Sequence, residues 1–414
     1  MNVLLTGATG LLGRNILFEL LKQNIYQKTN YHITVIGRSK GERSLRDRIF
    51  DIIRNDGIDY LSIPASDYSE GMLSSYISFI DCDLSCDEFE LQSCRMSLKN
   101  KSFDWLIHSA ALTNFQDTPE IRSLLEKNNI CGTSNLLYLT QECRIGVATY
   151  IGSAYSCGKK DGLIKEGTCD FNAQFRNPYE KSKLIAEQKF VETFSKRNSI
   201  VKVARVSTLC GRLFEKKIGS IPKFDVMYEF GSYLLFRKLV NGFVMDDIYD
   251  EFFEYPVPIP CNINAGLNII PADYAAKSII CILNNIPNSE YYHICTENET
   301  PHVLWLGVLS KILNVSDFNY VDEWTELPQN REDVFFRRTM GKIFVPYVVS
   351  PTMHFSTENS KSVLEKNGLY LKSLDEDQVN KIFLFAKTKN FGLFEKKSSK
   401  RILEKMGRKT MALT

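Results

Sequence analysis

Short apolar runs alternate along this chain with longer stretches whose apolar residues fall three and four apart, and glycines stand where one period gives way to the other. Residues 2–6 (NVLLT) are a compact apolar run, GATGLLG follows at 7–13, and RNILFELLKQ then has helical spacing. Further strand-like runs are HITVIGRSK at 32–40, FIDCDLS at 79–85, WLIHSAALTNF at 105–115, ATYIGSAYSCG at 148–158 and VARVSTLCG at 203–211. The segment YEKSKLIAEQKFVETF contains no glycine or proline, is rich in helix formers and follows Pro178, a residue suited to a first helical turn, so it predicts a helix from about 179 to 194.

Strand, glycine turn, helix is the layout of a dinucleotide-binding unit, and its repetition predicts an α/β protein of the Rossmann type, with a doubly wound parallel sheet. Gly7, Gly10 and Gly13 each acquire a role in that layout. The turn needs a residue without a Cβ, the backbone must approach a pyrophosphate, and the helix must pack closely. The free N–H groups of the helix start then face the phosphate. In an NAD-binding unit an acidic residue near the end of the second strand holds the ribose 2′-hydroxyl. Here that strand runs into Arg38, followed by Lys40, Arg43, Arg46 and Arg48. A guanidinium fork at Arg38 suits a 2′-phosphate, so NADPH/NADP+ is expected in preference to NAD. Arg43 and Arg46 read as a solvated helix face, and Asp83, taken alone, as a turn former.

Two tyrosine–lysine pairs share a four-residue spacing, Tyr155/Lys159 and Tyr179/Lys183. The first straddles a strand end and a glycine, so nothing holds the two side chains on one face. The second lies on the predicted helix, where four residues make one turn and both side chains share a face. A phenol next to an ammonium gives up its proton more readily. Tyr179 is thus a candidate general acid, or base in the oxidative direction, with Lys183 beside it. His108 reads as a packed strand-end histidine, since nothing acidic or nucleophilic is paired with it.

Composition narrows the picture only slightly. The 414 residues are 44% hydrophobic and 24% charged with a net charge of +2, which is ordinary for a globular chain and gives no case for nucleic acid. No apolar run is long enough for a bilayer, and the chain opens directly on an apolar strand, so neither a membrane span nor a signal peptide is expected. The 11 cysteines form no CxxC pair and the 5 histidines are dispersed. Free thiols, no metal site and a cytoplasmic location follow as expectations. Residues 387–414 carry nine Lys/Arg against Glu395 and Glu404, a net of +7, with Phe391, Leu393, Phe394, Ile402, Leu403 and Met406 interleaved. Such a tail suits either a solvated end or peripheral contact with a membrane or an acidic carrier protein.

The spacing TGxxGxxG from Thr6, the strand-end Ser153, and Tyr179 with Lys183 together resemble the extended short-chain dehydrogenase/reductase superfamily. The likeness runs from Thr6 to about Gly211. It implies a Ser153–Tyr179–Lys183 catalytic triad. Cofactor contacts are implied for Thr6, Gly7, Thr9, Gly10, Leu11, Leu12 and Gly13, for Arg38 and Arg48, and for Asp83 and Leu84 beside the adenine. The H-x-A-A-like HSAA adds Ser109, Ala110 and Ala111, the N-x-x-G-T-like segment adds Asn129, and Val206 stands where the family's strand usually has proline. Gly152 departs from the serine usual before the catalytic hydroxyl. GRSKGERSLRDRI, HSAALTNF and LNIIPADYAAKSI resemble the thioester reductase and fatty acyl reductase branch. That branch implies NADPH-dependent reduction of an acyl group carried on coenzyme A or on an acyl or peptidyl carrier protein, giving an aldehyde or alcohol without a covalent cysteine. A nucleotide-sugar epimerase or dehydratase, a hydroxysteroid-type dehydrogenase and a non-enzymatic NADP-binding regulator are the competing readings. The expected organisation is a cofactor domain at 1–211 and 262–284, a substrate domain at 212–261 and 285–386, and the tail. The aromatic run within 212–261 suits an acyl pocket or a helical lid packed on itself.

Overall fold

The computed structural model describes residues 1–285 and 289–395. The chain divides into two compact units. One is Met1–Lys217, Asn268–Asn298 and Met353–Ser373; the other is Ile218–Leu267, Glu299–Thr352 and the described part of Leu374–Thr414.

The first unit is built on seven parallel strands: β1 (Asn2–Thr6), β2 (His32–Gly37), β3 (Ile77–Asp81), β4 (Ser102–His108), β5 (Arg144–Ser153), β6 (Ile200–Val206) and β7 (Tyr291–Ile294). Their order is β7-β6-β5-β4-β1-β2-β3. Chain order reverses between β1 and β4, and a ligand crevice is expected at that reversal, beyond the carboxyl ends of the strands. The sheet is buried, as parallel sheets are, which is why its strands read as apolar runs rather than alternations. Leu4, Ile36, Leu106, Tyr150 and Val203 join Leu136, Phe190 and Phe194 in one cluster.

Four helices of this unit position the site. Helix α1 (Leu11–Tyr26) starts directly from the glycine turn. Helix α2 (Leu45–Ile52) is opened by a capping box between Ser44 and Asp47 and continues through a wide turn at Ile53–Gly57. Helix α3 (Pro178–Ser195) has Pro178 in its first turn and Asn177 as N-cap, whose side chain accepts from the Glu180 N–H. Helix α4 (Ala272–Asn285) packs against α1.

The unit boundaries differ from the expected 211, 262 and 284. Asp273, wholly buried at the start of α4, accepts from the backbone N–H groups of Leu213 (3.2 Å), Phe214 (2.7 Å), Glu215 (2.7 Å) and Tyr274 (3.0 Å). That clamp keeps residues 213–215 with the sheet. Within the expected substrate segment 285–386, β7 is an edge strand, and Met353–Phe355 pairs in parallel with Gly162–Ile164. Runs of four and three residues carry too little periodicity to be assigned from sequence.

The second unit is mainly helical, with helices at Met227–Val240, His302–Leu313, Arg331–Arg338, Met340–Val348 and Glu376–Lys387. Its aromatic residues pack on one another: Phe230 stacks on Phe344 at 4.6 Å and lies 5.5 Å from Phe318, and Tyr233 meets Phe336 at 5.8 Å. Phe391 and Leu393 of the expected tail are buried; residues 396–414 lie outside the described residues. Among the described residues no helix is long and apolar enough to cross a membrane.

Asp273→Ala leaves several buried N–H groups without an acceptor. It is expected to destabilise the protein by about 3 kcal/mol, with the urea midpoint falling at unchanged slope. A midpoint within error of the parent protein contradicts the clamp.

Candidate active site

The site begins where β1 ends. Gly7 adopts φ +76°, and a Cβ there would lie 2.6 Å from the Ala110 backbone nitrogen, so the turn and the loop after β4 approach as only glycine permits. The Gly10 N–H donates to Gly7 O at 2.8 Å and closes the turn. A Cβ on Gly13 would fall far inside van der Waals contact with Gly7 O, so α1 packs on the turn itself. Gly10 is the N-cap and no side chain caps α1. The orphan N–H groups of the helix start are therefore open to an anion.

A cleft of about 250 Å³ opens in front of this turn. Gly7, Thr9, Gly10, Arg38, Arg48, Asp83, Leu84, Ser109, Ala110 and Ala111 all line it. It lies at the β1/β4 reversal. Thr6, Leu12 and Gly13 are buried beneath the turn, Leu11 is half-buried at the first position of α1, and Val206 is half-buried at the end of β6. At the far end Arg38 donates to Asp83 Oδ2 at 2.7 Å, and Arg48 donates to the Arg38 carbonyl. Burial, with Arg38 and Arg43 nearby, lowers the proton affinity of Arg48. An uncapped helix start, a glycine cradle and two guanidinium groups at the distal end fit a nicotinamide dinucleotide.

His108 holds the floor of the site. Thr6 Oγ1 lies 2.7 Å from its Nδ1 and Thr133 Oγ1 3.0 Å from its Nε2. Ala110 N–H donates to Thr6 Oγ1, and Thr133 Oγ1 donates to Asn129 O. These directions assign a neutral ring protonated on Nε2. Burial, with Lys183 nearby, pushes its pKa down to about 3. His108 is thus the packed residue expected. Asn129 does not line the cleft: its side chain accepts from Leu112 N–H and donates to Leu112 O and Ser182 Oγ, tying the loop after β4 to α3.

Ser153 ends β5, and its hydroxyl accepts from Tyr155 N–H at 3.3 Å. Tyr179 and Lys183 stand one turn apart on α3. Tyr179 is half-buried and meets the Phe115 ring edge-on at 5.4 Å. Lys183 is only 4% exposed; its Nζ donates to Ile151 O at 2.7 Å and sits 4.4 Å from the Tyr150 ring centre. Burial lowers its pKa to about 8, with Glu187 opposing the fall. The competing pair is separated as expected. Tyr155 lies in a short turn, Ala154–Cys157, packed on Phe355, while Lys159 is exposed.

Sequence reasoning missed three features here. Phe115 stands against Tyr179. Glu187 and Arg205 form a buried bidentate ion pair between α3 and β6, at 3.1 and 2.6 Å. Gly152 makes room for that pair, because a Cβ there would lie 2.8 Å from Glu187 Oε2 and 2.9 Å from Arg205 Cγ. The sequence signal available was a glutamate one turn after Lys183 beside an unexpected glycine. All eleven cysteines are free, and among the described residues no group of His, Cys, Asp and Glu could hold a metal ion.

Fold and site together define an extended short-chain dehydrogenase/reductase with a nicotinamide-dinucleotide site. A family model described as male sterility protein matches residues 5–279, and the chain belongs to that family. Fatty acyl-CoA reductase 1 of Xenopus laevis is 27% identical over 161 residues, covering 38% of this chain and 29% of that protein. The large subunit of L-2-aminoadipate reductase from Candida glabrata is 21% identical over 361 residues, covering 84% of this chain and 24% of that protein. The chain therefore spans well under half of either relative. Among solved structures, the terminal R domain of the myxalamid PKS-NRPS pathway is 19% identical with a TM-score of 0.66, covering 94% of this chain and 91% of that one. UDP-glucuronic acid 4-epimerase from Bacillus cereus, in complex with UDP-glucuronic acid and NAD, is 16% identical with a TM-score of 0.57, covering 94% and 99%. These likenesses carry the fold.

Gly13→Ala forces the turn away from α1. Dinucleotide affinity, read by fluorescence titration with NADPH, is expected to fall at least about tenfold, the equivalent of about 1.4 kcal/mol. Parent-like affinity would show that the turn is not the binding element.

Proposed function

We propose that the chain is an NADPH-dependent reductase of an acyl thioester, carried on coenzyme A or on a carrier protein, with an aldehyde as first product and an alcohol where the aldehyde is reduced again. The observation that carries this reading is the placement of Ser153 at the end of β5 with Tyr179 and Lys183 on the adjoining α3, in the unit that holds the dinucleotide cleft. Membership of the male sterility protein family supports it, as do relatives named for fatty acyl-CoA reduction. Arg38 and Arg48, at the place where an acidic residue would serve NAD, support NADP(H). Free thiols throughout suit a reducing compartment such as the cytoplasm.

The glycine turn and the start of α1 would hold the pyrophosphate of the cofactor, and Arg38 and Arg48 would hold its 2′-phosphate. The bound NADPH supplies the hydride. Ser153 Oγ and the Tyr179 hydroxyl donate to the carbonyl oxygen as negative charge grows on it. For a thioester the tetrahedral oxyanion re-forms a carbonyl, leaving the aldehyde, and expels thiolate, which takes a proton from water; for the aldehyde, which receives a hydride from a second equivalent of NADPH, Tyr179 delivers its proton to the alkoxide, giving the alcohol. The Lys183 ammonium makes the Tyr179 proton easier to give. No cysteine nucleophile takes part.

Mixed with NADPH and a panel of acyl-CoA and acyl-carrier thioesters, the protein is expected to oxidise NADPH and release aldehyde or alcohol. Turnover with none of them would sink the proposal. Net NADPH oxidation also separates it from an epimerase, which recycles its cofactor. Tyr179→Phe is expected to lower kcat at least about 100-fold while sparing NADPH affinity, as loss of a general acid does. Retained turnover in that variant contradicts the triad. Arg38→Ala is expected to raise the NADPH Kd about tenfold with little effect on NADH, since one phosphate contact accounts for about 1.4 kcal/mol. Because Lys183 must be charged to assist the acid and burial lowers its pKa to about 8, kcat/KM for reduction should fall as pH rises through about 8.

A further inference from the structure

We infer that Glu187 and Arg205, seated in the space left by Gly152, are positioning residues that hold Lys183 in its ammonium form. The inference rests on the proposed reaction only for its catalytic consequence; the electrostatic arrangement is a property of the folded chain.

Lys183 is surrounded from several elements. Its own helix contributes Tyr179 one turn before it and Glu187 one turn after it. β5 contributes the Ile151 carbonyl and the Tyr150 ring, and β4 the His108 imidazole, while Arg205 of β6 reaches Glu187. Burial holds the Tyr150 phenol protonated and the His108 ring neutral. Among these groups Glu187 is the anion. It is 3% exposed and forms an ion pair within the fold. Arg205, itself 1% exposed, supplies the cation: its Nε and Nη2 donate to the two Glu187 oxygens at 3.1 and 2.6 Å, and its Nη1 donates to Gly167 O at 2.6 Å. All three Arg205 guanidinium nitrogens are therefore engaged, and they fix the Glu187 carboxylate one helical turn from Lys183.

Gly152 is the third part. It immediately precedes Ser153, and any side chain there would strike both the Glu187 carboxylate and the Arg205 stem. The departure from the usual serine is thus the vacancy in which the pair sits. Glu187 lies on the helix that carries Tyr179 and Lys183, and Arg205 on β6, the strand beside β5, so the pair ties α3 to β6 as well as supplying charge. Arg205 is engaged with Glu187 and the Gly167 carbonyl, so removing both charges takes from Lys183 the carboxylate one turn away.

The test follows the Lys183 side chain itself. Protein labelled with ¹⁵N and ¹³C lysine is titrated by NMR, with the Lys183 resonance assigned from its loss in Lys183→Met. Glu187→Gln is expected to lower the Lys183 midpoint by about one pH unit, since it removes the anion and leaves Arg205 unbalanced. That variant strands a buried guanidinium and can fail to fold. The double variant Glu187→Leu/Arg205→Met replaces the pair by apolar groups of similar size, a change that buried ion pairs commonly tolerate. It is expected to fold and to lower the midpoint in the same direction by less. Where the protein turns over substrate, the alkaline limb of kcat/KM should move with the NMR midpoint. An unchanged Lys183 midpoint in the folded double variant overturns the inference and leaves the pair a structural brace. A lowered midpoint in a protein that reduces no thioester upholds the inference while the proposed function fails.

Discussion

A lysine ammonium taken out of water, at the place where α3 crosses β5, constrains most of the first unit. Burying a cation is costly unless its neighbours replace the lost hydration. The replacements are drawn from rigid parts: the Ile151 carbonyl of a central strand, the face of the Tyr150 ring and a carboxylate one helical turn away. A charged imidazole beside the ammonium would add to that cost, and burial with Lys183 nearby holds His108 neutral. Both of its ring nitrogens are committed to threonine hydroxyls, and the chain of donors ends on backbone groups. A histidine so placed is a packed structural residue, although its position invites a catalytic reading.

The helix that carries Lys183 is held with corresponding strictness. Its first turn bears Glu180, buried and paired with Arg176, and its third bears Glu187 paired with Arg205. Lys183 lies between these two latches, and Tyr179 immediately precedes the first. Polar side chains that reach neighbouring backbone fix the rotation and the axial position of α3 in a way that apolar packing alone does not, because apolar contacts lack direction.

Much of this frame was legible in the sequence because it rests on local rules. The glycine turn requires positive φ at Gly7 and no Cβ at Gly13, and both needs leave their mark in seven residues. Pro178 and the unbroken helix former run defined α3 almost to the residue. The distinction between the two tyrosine–lysine pairs followed from whether a helix joined their members. What escaped notice depends on contacts between residues far apart in sequence. Glu187 meets Arg205 across 18 positions, Asp273 reaches back to residues 213–215, and Met353–Phe355 pairs with Gly162–Ile164. None of these has a periodicity. Gly152 was visible as an oddity, and its reason lies in atoms brought by another strand and another helix. The aromatic segment of the second unit was visible too, but composition alone does not separate rings that line a pocket from rings that fill a core, and those seen here pack on each other.

The contact between Arg38 and Asp83 gives cofactor choice a competitive character. The guanidinium that would receive a 2′-phosphate already has a carboxylate partner on the next strand's exit loop. On the proposed reading, NADPH gains from Arg38 only the margin by which a phosphate outbids that carboxylate, whereas a cofactor ending in a hydroxyl leaves the pair intact. Selectivity is then a difference between two occupied states of one arginine. It is adjustable from the acidic side, by a residue that makes no bond to the phosphate, and a chain of this kind can drift between the two cofactors without altering the arginine at all.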